Sequence, residues 1–233
     1  MNLLLFELKL ILRNKRLRQV FFMSFILVIF ILYPPFMGRS ATIREYFILQ
    51  ELFIIGCIPL HGSFFATLAF SINGSFWERL MTSPLPVKNI LASKYRFLCI
   101  ISLADVLLMS PCLFLGVKLF QLIAAYLYVI GFVFFGFFYI SLFPKETLDI
   151  KATSFYNWQG YDISSQLLPC LFLLFAIGFI AFIYWLFGET ATYTVMSAIG
   201  IAFIATHKIW LDHICRKFEK TKYKRLECFR EDN

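Results

Sequence analysis

The chain has 233 residues, 60% of them hydrophobic, with 30 phenylalanines and a mean hydropathy of +0.76. That composition excludes a soluble globular domain and a disordered chain alike, since neither carries so much apolar surface. The net charge of +8 would suit nucleic acid, but the basic residues are distributed as a membrane-topology signal instead.

A helix needs about 20 apolar residues to cross the hydrocarbon layer. Windows of this kind fall at 19–37, 47–71, 95–117, 122–143, 167–187 and, slightly more polar, 190–211. Nothing alternates with period two, so helices rather than barrel strands are expected. The predicted fold class is all-α integral membrane, with six transmembrane helices forming one domain over residues 1–211.

Ahead of the first window, Leu3-Leu4-Leu5-Phe6 precede Arg13, Lys15, Arg16 and Arg18. That is the reverse of a cleaved signal peptide, whose basic residues come first. Residues 2–16 read as a helix lying at the inner interface, its wide apolar face interrupted by Glu7 and Lys9. An extension of the first span is the alternative. With the N-terminus inside, 19 of the 22 Lys and Arg fall in 1–18, 72–96, 144–166 and the tail from Lys208, leaving only Arg39, Arg44 and Lys118 outside. The split follows the positive-inside rule and puts both termini in the cytoplasm, with anionic lipid as the counter-charge and no nucleic acid.

Three ionisable residues fall inside predicted spans: Glu51 and His61 in the second, Asp105 midway along the third. Charge in hydrocarbon is costly and often functional. They form a candidate intramembrane polar site, either a substrate path or a proton site. Interhelical hydrogen bonding, with Asp105 protonated, is the plainer alternative.

Between spans two and three the chain reads Asn73-Gly74-Ser75-Phe76-Trp77-Glu78-Arg79-Leu80-Met81-Thr82-Ser83-Pro84-Leu85-Pro86-Val87-Lys88. Ser75 and Glu78 have the spacing of a capping box. Ser83 before Pro84 closes the helix, and Pro86 can open the next. A short capped helix between two spans is suited to receive force from a soluble partner.

Cys57, Cys99, Cys112 and Cys170 sit in apolar windows, and Cys215 and Cys228 in the tail. No C-x-x-C occurs and His61, His207 and His213 lack ligand-spaced companions, so neither a metal nor a disulfide framework is expected. Phosphate-binding G-x-x-x-x-G-K-[ST], H-E-x-x-H and G-x-S-x-G are all absent, so no enzyme and no resident cofactor are predicted. The loop 144–166 carries Tyr156, Trp158 and Tyr161, suited to an interface. It is a passive anchor or a second partner contact, with Asn157 and Gln159 as hydrogen-bonding groups. In the basic cytoplasmic tail, 212–233, Tyr223, Leu226 and Phe229 have helical spacing. A solvated helix or disordered end is the plainer expectation there.

The run Trp77 to Pro86, followed by Ile90-Leu91 and Lys94, resembles the loop between spans two and three of ABC-2 type permeases. In that family the loop is a coupling helix seated in a cleft of a separate ATP-binding cassette ATPase. The resemblance implies that Ser75, Phe76, Trp77, Glu78, Arg79, Leu80, Met81 and Pro84 bind such an ATPase, with ATP and magnesium held in that partner. Phe155-Tyr156-Asn157-Trp158-Gln159-Gly160-Tyr161, with Lys222-Tyr223-Lys224-Arg225 and Phe229-Arg230, is similar to an uncharacterised branch of these permeases common in Bacteroidetes. One departure stands out: Gly188-Glu189-Thr190 alone joins spans five and six, where many ABC-2 permeases carry small re-entrant helices. The expectation is therefore an exporter permease subunit of the bacterial inner membrane, paired with a second copy or a paralogue. A proton-coupled carrier using Asp105 and His61, or a non-transporting scaffold, are the rivals.

Overall fold

The computed structural model describes residues 3–36, 53–71, 86–115, 117–143 and 163–231. Regular structure among the described residues is entirely helical, the arrangement that satisfies backbone hydrogen bonds within each segment in hydrocarbon. Val87–Phe114, Leu119–Ile140 and Leu167–Ala205 are long and apolar enough to cross a membrane, which agrees with a helical membrane protein. The 75–83 segment, Glu51 and most of the 144–166 loop lie outside the described residues.

The first helix, α1 (Leu3–Arg13), stands apart from α2 (Lys15–Phe36). The break is at Asn14, whose side-chain amide donates to the Leu10 carbonyl at 2.7 Å. The exposed side of α1 is mostly apolar, with Leu5, Phe6, Leu8 and Leu12 outward beside Lys9 and Arg13, while Glu7 and Ile11 are buried. Glu7 therefore does not merely interrupt an apolar face; it is turned inward.

The short helix α3 (Leu60–Thr67) follows Pro59 and packs on α4 (Val87–Leu108). Gly62 lets it come close to a later helix instead: a Cβ there would sit 2.7 Å from the Phe134 ring, but 3.6 Å from Leu98 of α4. Pro86 precedes α4 in an extended conformation, and its carbonyl accepts from Asn89 N–H at 2.9 Å. After α4 the chain tightens into a 3-10 helix, Ser110–Leu115, because Pro111 lacks the N–H that an α-helix would need.

The next apolar rod is α5 (Leu119–Tyr128), a π-helical turn (Val129–Val133) and α6 (Phe134–Ile140). It runs antiparallel to α4: Tyr95 donates its hydroxyl to the Ile130 carbonyl at 3.0 Å, and Tyr126 to that of Cys99 at 3.2 Å. At the π turn the chains nearly touch, since a Cβ on Gly131 would lie 2.5 Å from the Gly200 carbonyl oxygen.

The helical stretch α7 (Ile163–Ala205) is two helices joined at Gly188, where φ is 78°. Glycine adopts that left-handed conformation without a Cβ clash. The Phe132 ring lies 5.5 Å from that of Phe172 and 5.4 Å from that of Phe203. In one straight helix those two residues would be about 46 Å apart at 1.5 Å per residue. The chain therefore doubles back at Gly188. The arm before it runs antiparallel to the α5–α6 rod and the arm after it runs parallel, as the Phe120–Tyr193 contact at the other end requires.

The last helix, α8 (His207–Glu231), is helical as one reading of the tail expected, but its first turns are packed rather than solvated. Trp210, Leu211, Ile214, Cys215 and Phe218 are buried, and Phe218 stacks on Phe70 with centroids 4.2 Å apart. The spacing of Trp210, Ile214 and Phe218 puts one apolar stripe on one helix face. The intervening charges hide it from a composition count.

Candidate functional site

Two groups of polar residues are brought together by this packing. The first lies at the helix ends nearest the start of α4. Lys94 Nζ is 3.2 Å from Glu7 Oε2, and both side chains are buried. Six residues earlier on the same helix, Lys88 Nζ is 2.9 Å from Asp212 Oδ1 on α8, and Arg216 approaches Asp212 Oδ2 at 2.7 Å. The Lys88 hydrogen bond, aided by the charges of Arg216 and Lys88, holds the Asp212 carboxyl below its ordinary range. Lys217 donates to the Tyr139 hydroxyl at 2.6 Å and lies 4.6 Å from that ring's centroid. Thus α4 is tied to α1 and α8, and α8 is tied to α6. The Cys215 thiol, on the buried stripe, is pushed up to about 11 by burial, so it behaves as apolar filler rather than a nucleophile.

The second group is the predicted His61–Asp105 couple. The two side chains are fully buried, and His61 Nδ1 lies 2.7 Å from Asp105 Oδ1. The approach is close but poorly aligned: none of the four polar atoms of the pair has a hydrogen bond of good geometry to the protein. Ser102, three residues before Asp105 and also fully buried, leaves its hydroxyl similarly unmatched. The His61 ring sits 3.7 Å from that of Phe25 and 5.9 Å from that of Phe21, centroid to centroid, so α2 covers it. Glu51, the third member proposed from sequence, lies outside the described residues.

At the opposite end of the α5–α6 rod, Lys118 Nζ is 2.6 Å from Glu189 Oε1, which also accepts from the Tyr193 hydroxyl at 3.0 Å. The Lys118 hydrogen bond is the main cause of a lowered Glu189 carboxyl pKa. This pair clips the start of the rod to the Gly188 turn.

Among the described residues, no three His, Cys, Asp or Glu side chains converge as metal ligands. Cys57, Cys99, Cys112, Cys170 and Cys215 are free thiols. The residues predicted to bind a partner, Ser75, Phe76, Trp77, Glu78, Arg79, Leu80, Met81 and Pro84, all lie outside the described residues. What the structure does describe is the helix they lead into. Sequence reasoning missed the Glu7–Lys94 pair, although both charges interrupt otherwise apolar runs, and a charge in such a run has a partner as its commonest explanation.

A comparison with curated proteins finds no match. A comparison with solved structures finds none either. The model of a family described as "Family of unknown function (DUF5687)" matches residues 2–232. With nearly its whole length matched, the chain belongs to that family.

Proposed function

We propose that the chain is the permease subunit of an ATP-binding cassette exporter in a bacterial inner membrane. It has six spans, both termini inside, and works as a pair with a second copy or a paralogue. A separate ATPase binds ATP and magnesium and docks on the 75–83 segment. The observation that carries this reading is the anchoring of α4. The helix begins at Val87, three residues past Pro84, and within two turns it is ion-paired through Lys88 to Asp212 and through Lys94 to Glu7. A push on the 75–83 segment would be delivered to α4 and, through these pairs, to α1 and α8 together. The resemblance of Trp77 to Pro86 to ABC-2 coupling helices supplies the partner's identity.

In the helix that the capping box predicts for 75–83, Trp77, Leu80 and Met81 would fall within about one turn of each other and share a face that can fill a groove. An aromatic anchor in such a groove commonly carries about 2 kcal/mol, a roughly thirtyfold loss of affinity when removed. Trp77→Ala should therefore release the ATPase in a pull-down from membranes while the permease still inserts. Glu78→Ala, which removes half a capping box, should weaken recovery only mildly. Full ATPase recovery with Trp77→Ala would remove the coupling-helix assignment.

A further inference from the structure

We propose that His61 and Asp105 form an intramembrane proton-binding site whose occupancy is read by α2 through the ring of Phe25. The inference does not rest on the ATP-driven reading, since a bound proton can gate an ATP-driven permease as readily as it can drive a carrier.

The site is built across two helices. His61 comes from α3 and Asp105 from α4, and each side chain is fully buried with its partner atom at 2.7 Å. Nδ1, Nε2, Oδ1 and Oδ2 all lack an aligned hydrogen bond to the protein, as does the Ser102 hydroxyl one turn away. Buried polar groups are nearly always matched. A set of five mismatched atoms around a 2.7 Å contact is therefore an arrangement one small reorientation from a strong hydrogen bond.

Charge decides what completes it. With Asp105 ionised and His61 neutral the pair carries one net negative charge in an apolar interior. Burying a lone charge is among the costliest arrangements a protein can adopt. Among the described residues, no Lys or Arg pairs with Asp105. The other titratable groups that interact electrostatically here are thiols, Cys57 on the turn before His61 and Cys112 in the 3-10 helix. Among the described side chains of α2, the rings of Phe21 and Phe25 face His61. One added proton leaves the pair neutral overall, as an imidazolium facing a carboxylate, with Nδ1–H donating to Oδ1 once the two side chains realign. The step is a simple association, one proton taken up and no other bond changed, and the two groups then titrate as a unit.

The readout follows from the 3.7 Å His61–Phe25 contact. A proton residing on the imidazole turns that contact into a cation–π attraction. Its loss weakens the hold of α2 on the α3–α4 pair.

The test uses the full chain in lipid nanodiscs with nitrogen-labelled histidine. The chain has only 3 histidines, so H61Q assigns the His61 signal by its disappearance. At pH 8 a separate histidine and aspartate would hold almost no proton between them. The pair should still hold one, seen as a His61 imidazolium signal that D105N abolishes. Spin labels at the lipid-facing positions of M23C and L107C should report a separation that changes as the pair titrates, with F25L at least halving that change. A neutral His61 beside an ionised Asp105 at pH 8, or an unaltered His61 titration in D105N, overturns the site. A label separation independent of pH overturns the readout. If D105N fails to insert, the imidazolium signal in the wild type decides alone, with D105E expected to retain it.

Discussion

Replacing Lys94 by methionine should destabilise the protein far more than the loss of a single surface charge would. Lys94 Nζ and Glu7 Oε2 are 3.2 Å apart, with side-chain exposures of 8% and 6%. At that distance two unit charges attract by about 5 kcal/mol with an effective dielectric of about 20. Removing both ions from water consumes most of that gain, so the intact pair is close to neutral in net effect. Stranding one member is different, because the remaining ion is still desolvated and has lost its partner, at a cost of about 3 to 5 kcal/mol. Lys94→Met and Glu7→Leu should each show a loss of that size in unfolding from mixed micelles, whereas the double variant should return to within about 1 kcal/mol of the wild type. Either single variant should also free α1, loosening the backbone at the already exposed Arg13 and Lys15 so that trypsin cuts there faster. If each single change costs less than about 1 kcal/mol and the two simply add, the pair is screened like a surface bridge and α1 is not anchored through it.

The Gly131–Gly200 approach should tolerate no side chain: Gly200→Ala, whose Cβ would collide with the Leu127 backbone, should lose about 1 to 3 kcal/mol, measured as a lowered melting temperature in micelles. At the start of α4, Lys88→Ala should let the Asp212 carboxyl rise toward its ordinary range, followed by its chemical shift on acid titration. The sign is fixed by the depressed value: the Lys88–Asp212 tie is complete above about pH 4, the ordinary carboxylate range, and is lost only as pH falls through the lower folded value. For topology, an impermeant thiol reagent applied from outside should label T190C and spare S75C, and the reverse pattern would exclude the proposed orientation.

What the sequence made legible is what depends on period and transfer energy. Long apolar windows predict helices because hydrocarbon leaves the backbone no other way to bond internally. The break at Gly188 was readable from a three-residue polar interruption, Gly188-Glu189-Thr190, in an apolar run too long for one crossing. The Asp105 and His61 couple was readable because ionisable residues in apolar windows stand out, although only the fold shows that they meet on neighbouring helices. Other features were hidden for specific reasons. The buried stripe of α8 is interleaved with Asp212, Arg216 and Lys217, so composition says solvated while Trp210, Ile214 and Phe218 say packed. Glu7 looked like a blemish on an amphipathic face because pairing with Lys94, 87 positions away, is invisible to any local window. In both cases the face a helix buries was set by what another helix offered. On α1 that rule is inverted relative to a soluble protein, with the ion pair inward and Leu5, Phe6, Leu8 and Leu12 outward. An apolar exterior over an ionic contact suits lipid or an apolar partner better than water, so the packing of α1 agrees with a membrane protein independently of the length of any span.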